Sequence, residues 1–132
     1  MHAKSGSCAA STAEGRSCSR WCASSRAQRL RTRLEAAGGE VYLTRERDAQ
    51  LSLSERVAMT NDHGADLFIC ECYAHDGRIA GHMSWQILKR RLPDLRARRI
   101  MVTHMNPTML ACLDEVRAAG VLVAEDGMVI EI

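Results

Sequence analysis

The chain has 132 residues, a length that suits one domain. Hydrophobic residues at 46% exclude a chain disordered throughout, and aromatic residues at 4% leave little for a base-stacking platform. The formal charge of +2 hides an asymmetry: residues 1–33 carry seven basic side chains against one acid, while residues 34–132 carry eleven against fifteen. Such a shift suggests a tail joined to a domain.

Residues 1–25 hold seven Ser, five Ala and three Cys, with no Leu, Ile or Val. No apolar periodicity runs through them, so an unstructured tail is expected. No apolar h-region for a secretory signal is present, nor a run of roughly 18 apolar residues for a membrane span; a cytoplasmic placement without membrane contact is expected. Cys8, Cys18 and Cys22 lack paired CxxC spacing, which argues against a metal cluster there. Without an export signal, the six Cys of the chain read as free thiols.

From Arg26 the pattern turns helical. Ala27, Leu30, Leu34 and Ala37 form an apolar stripe, and Gly38-Gly39 supplies the stop. Glu40–Thr44 reads as a short strand. Ser52-Leu53-Ser54-Glu55 is a capping box opening a helix with Leu53, Val57 and Asn61 on one face, closed by Gly64. Leu67–Cys72 is a near-continuous apolar run, the mark of a strand buried on both faces.

Ser84–Arg91 predicts a short helix ended by Pro93, and Arg99–Thr103 predicts a strand. Asn106-Pro107 starts a helix that continues through Leu113 and Val116 to Gly120. Val121–Ala124 and Met128–Ile132 read as strands around a Glu125-Asp126-Gly127 turn. Alternating helices and strands predict an α/β fold with a parallel sheet.

Several patterns have plain structural readings. Met101, Met105 and Met109 form a core stripe. Cys70 and Cys72 alternate with Glu71 along the strand and read as buried thiols. Lys89, Arg90, Arg91, Arg96, Arg98 and Arg99 read as a solvated face beside Asp94, so no nucleic-acid partner is expected. His75 and Asp76 fall in a loop as low-ranked additions to a site.

The segment RLRTRLEAAGGEVYLTRERDAQLSLSERVAMTNDHGADLFI, within residues 26–69, resembles the middle of a zinc-dependent N-acetylmuramoyl-L-alanine amidase. LTR after the strand, SLSERV at the helix start and GADLFI in the next strand carry the resemblance. It implies zinc held by a His in a DPGHGG-type loop, a following Glu, and a His just after the last strand. That loop is absent from residues 1–26, and the third position is occupied by Cys72, itself a possible zinc ligand.

Residues 64–132 resemble a different family, the C-terminal end of a metallo-β-lactamase-fold hydrolase close to the ribonuclease Z branch. Glu71 ending a strand, the Gly81-His82 pair and Thr103-His104-Met105 carry this resemblance. It implies partial metallo-β-lactamase-like α/β layers and His104 as a zinc ligand. It also implies Glu71 and His82 as a pair that moves protons near the metal, and a small-molecule or phosphodiester substrate. The family's HxHxDH loop is absent, so a hydrolase fragment inactive by itself is expected. The alternatives are an amidase fragment acting on the bond between muramic acid and L-alanine, or a non-catalytic hybrid chain. The two resemblances meet at Gly64–Ile69, which fits both as a buried strand.

Overall fold

The computed structural model describes residues 18–45 and 51–131, with side chains in the first helix from Ala27 onward. The chain divides into two compact units, residues 1–50 and 51–132.

In the first unit, helix α1 spans Cys18–Ala36. It begins eight residues before Arg26, so the boundary expected at 25/26 is not a change in backbone structure. The cause is local: no Gly or Pro interrupts residues 18–37, and Ala and Arg are good helix formers. Of the expected unstructured tail, residues 1–17 lie outside the described residues. The helix stops where the glycines predict. Gly38 takes a φ of +90°, a conformation that disfavours a Cβ, and the Gly39 N–H donates to the Leu34 carbonyl at 3.0 Å.

The strand expected at Glu40–Thr44 does not form. An isolated extended segment has no ladder for its N–H and C=O groups, and no strand is present among the described residues of this unit.

The second unit is built on a three-stranded parallel sheet, giving a mixed α/β fold. Its elements are α2 (Leu53–Asp62), β1 (Leu67–Glu71), α3 (Trp85–Arg91), β2 (Arg99–Thr103), α4 (Pro107–Leu110), α5 (Leu113–Ala118) and β3 (Leu122–Val123). The strands lie in the order β1-β2-β3. Leu67 pairs with Arg99 and Glu71 with Thr103, so β1 and β2 end side by side.

The capping box is present at α2: the Ser52 hydroxyl accepts from the Glu55 N–H, and the Glu55 carboxylate accepts from the Ser52 N–H at 2.7 Å. Asn106 caps α4, its side-chain oxygen accepting from the Met109 N–H at 3.1 Å.

Phe68, Cys72, Val102 and Val123 meet Val57, Trp85, Leu88, Met109 and Val116 in one buried cluster. Burial of each large apolar side chain contributes about 1.5–3 kcal/mol. Met101 and Met109 are buried and Met105 packs against the cluster, as the core stripe requires.

Three expectations change here. Within β1 only Phe68 is buried, the rest being half-buried, because β1 lies at one edge of the sheet. The helix expected from Asn106 to Gly120 breaks at Ala111-Cys112, where Cys112 takes φ −120°. The break puts Asp114 and Glu115 in the first turn of α5, where the helix dipole favours acids. Met128–Glu131 forms no strand. The turn before it does form, with the Met128 N–H donating to the Glu125 carbonyl at 3.1 Å. A returning strand would gain little from burial, since Val129 is 89% exposed.

Candidate metal centre

The carboxyl ends of parallel strands are where α/β sheets place their ligands. Glu71 is the last residue of β1, and His104 follows the last residue of β2. The parallel register makes them neighbours. His82 arrives from the loop between β1 and α3. That loop is held by the His82 N–H donating to the Ile79 carbonyl at 3.0 Å, and by the Tyr73 N–H donating to the Met83 carbonyl at 2.9 Å.

Glu71, His82 and His104 come together, their ligand atoms all within 4.8 Å of one another. These are the three residues singled out from the sequence. His82 Nδ1 lies 2.8 Å from Glu71 Oε2, and the Met83 N–H donates to Glu71 Oε1 at 2.8 Å. The carboxylate therefore fixes the His82 ring and leaves its other nitrogen for a ligand or proton. Glu71 and His82 are half-buried, whereas His104 is exposed.

His104 has φ +59°, the one positive φ of a non-glycine residue among the described residues. Histidine tolerates this region better than most residues, and such backbone outliers cluster at functional sites.

Two imidazoles and a carboxylate form a donor set that a catalytic zinc ion takes. Zinc bonds of roughly 2.0–2.2 Å place paired ligand atoms about 4 Å apart or less, so the observed spread needs only a small closure. The residues present fit a divalent cation.

Cys72, the third amidase ligand position, does not join them. Its side chain is 0% exposed within the core, and its N–H donates to the Thr103 carbonyl at 2.9 Å. Burial, and then the charge of Glu71, push its thiol up to about 12. Cys70, Cys72 and Cys112 are free thiols.

His75 lies apart from this set, in a network that sequence reasoning missed. His75 Nε2 is 2.9 Å from Glu115 Oε2, while Trp85 Nε1 and Lys89 Nζ donate to Glu115 Oε1 at 2.9 and 2.8 Å. Lys89, then His75 and Trp85, hold the Glu115 carboxyl down at about 2. Forty residues separate His75 from Glu115, and no motif links them.

The N-acetylmuramoyl-L-alanine amidase family model matches residues 5–70, half of the chain. The chain belongs to that family. The match starts well ahead of Arg26, where the motif resemblance begins, and ends one residue before Glu71. All three clustered side chains of this amidase-family chain thus follow the matched segment. Neither the curated proteins nor the solved structures give a match. No helix among the described residues is long and apolar enough to cross a membrane.

Proposed function

We propose that this chain is a metal-dependent hydrolase that cleaves an amide bond, the bond between muramic acid and L-alanine in peptidoglycan. Glu71, His82 and His104 would hold zinc. The single observation that carries this reading is their convergence at the ends of β1 and β2. Family membership supplies the substrate class. A bound zinc ion supplies a water made acidic enough to attack at neutral pH. The Glu71–His82 hydrogen bond orients the imidazole and leaves its other nitrogen for the metal.

A second reading follows the metallo-β-lactamase-fold resemblance alone. The three clustered residues lie beyond residue 70 and are those that the metallo-β-lactamase-fold resemblance names. On that reading the substrate is a phosphodiester or another small molecule. Lys89, Arg91 and Arg98 are each paired with an acid, Glu115, Asp94 and Asp66, at 2.8, 3.0 and 3.1 Å. Such pairing offsets the charge of three of the six basic residues in the cluster from Lys89 to Arg99.

The test supplies Zn(II) to the purified chain and measures release of peptide from a muramoyl peptide, with bis-(p-nitrophenyl) phosphate in parallel. Peptide release that a chelator abolishes, and that His104→Ala lowers by at least about tenfold, is expected. Turnover of the phosphodiester alone would move the assignment to the second reading. Hydrolysis of neither substrate, together with no bound zinc, would overturn both.

A further inference from the structure

Five Phe, Trp or Tyr residues occur in the chain, and one of them, Tyr73, packs against both histidines of the metal centre. The Tyr73 ring stacks on His82 with centroids 4.4 Å apart and planes 26° apart. The same ring lies 5.4 Å from His104 at 35°. The two imidazoles are 5.5 Å apart. His82 already has Glu71 to orient it, whereas His104 is exposed and stands on a strained backbone. Ring contact restrains both imidazoles at once, with little conformational freedom of its own to lose.

The Tyr73 backbone does a separate task. Its N–H donates to the Met83 carbonyl at 2.9 Å, and its carbonyl accepts from the Asn106 N–H at 2.7 Å. Those bonds tie the His82 loop and the His104 turn to the end of β1. They do not depend on the side chain, so replacing the side chain isolates the ring.

We propose that Tyr73 is the positioning residue of the centre, its ring holding His82 and His104 in the orientation that receives a metal ion. This rests on the metal reading above. The ring acts through its faces, so the hydroxyl is dispensable. A positioning shell of this kind commonly changes metal affinity by about 10–100-fold when removed.

The experiment compares the full chain with Tyr73→Phe and Tyr73→Leu by two readouts. One is Co(II) affinity, with the visible spectrum of the bound ion. The other is the imidazole NMR spectrum of the metal-free protein. Tyr73→Phe is expected to bind Co(II) within about twofold of the parent and to keep the ring-current shifts of both imidazoles. Tyr73→Leu is expected to bind at least about tenfold more weakly. It should also lose those shifts, with one averaged environment for His104. A Leu variant that matches the parent in affinity and in rigid, unaveraged imidazole signals would overturn the proposal. A Phe variant as weak as the Leu variant would overturn the role assigned to the ring face. If the parent itself binds no Co(II), the metal reading fails. The metal-free spectra of the three proteins then decide the role of Tyr73 alone.

Discussion

Glu71 and Cys72 leave the end of β1 on opposite sides. Glu71 meets His82 and the Met83 N–H, while Cys72 is enclosed in the core. The two neighbours therefore predict different mutants. His104→Ala removes a donor held by ring contacts with Tyr73 and His82 and should abolish zinc binding. Cys72→Ala should keep the full zinc content, while the small cavity lowers stability by about 1 kcal/mol. Metal analysis after dialysis, beside denaturant unfolding, measures both. Zinc lost in Cys72→Ala but kept in His104→Ala would reverse the ligand assignment. The candidate site was legible at this scale for a specific reason. Glu71 and Thr103-His104 are short motifs at strand ends, Gly81-His82 is one in a loop, and all can be read without knowing the packing. Tyr73 carries no motif, and its position shows only once two loops are folded against it. The Glu115 partners were hidden for the same reason.

Elements with their own end signals formed where the sequence places them. β2 spans Arg99–Thr103 as expected, α2 follows its capping box and α4 follows Asn106-Pro107. Those signals are local hydrogen bonds and fixed dihedrals. Glu40–Thr44 and Met128–Glu131 have strand-like sequences but no ladder partner, and strand formation depends on one. Two N-cap serines show how the same residue can have opposite worth. The Ser52 hydroxyl accepts the Glu55 N–H at 3.2 Å and completes a capping box. The Ser84 hydroxyl, at the start of α3, makes no cap bond, and its oxygen is buried without a partner. Ser52→Ala should lower stability by about 1 kcal/mol. Ser84→Ala removes an unsatisfied buried hydroxyl and should raise stability by up to about 1 kcal/mol. Urea midpoints of the two variants should move in opposite directions. A loss of equal size in both would show that Ser84 has a partner in solution.

Across the molecule, the Glu115 network joins segments that the sheet does not connect. His75 follows β1, Trp85 and Lys89 belong to α3, and Glu115 belongs to α5. Trp85 is fully buried, so its indole N–H must find an acceptor inside, and Glu115 supplies it. The direction of the pH effect follows from the lowered Glu115 value. A carboxyl held at about 2 when folded, against an ordinary value of 4.5, binds protons more readily in the unfolded chain. Its contribution is complete above the ordinary value and is lost as pH falls from about 4.5 towards about 2. The Glu115 side chain is 35% exposed, so solvent screening keeps the effect modest. Glu115→Gln keeps the shape but cannot ionise. Urea midpoints of the two proteins, followed by far-ultraviolet circular dichroism from pH 7 to pH 2, should differ most at pH 7 and converge as pH approaches 2. Parallel curves would show that the network carries no proton linkage. Convergence complete at the ordinary carboxylate value would mean that Lys89, His75 and Trp85 do not hold Glu115 ionised.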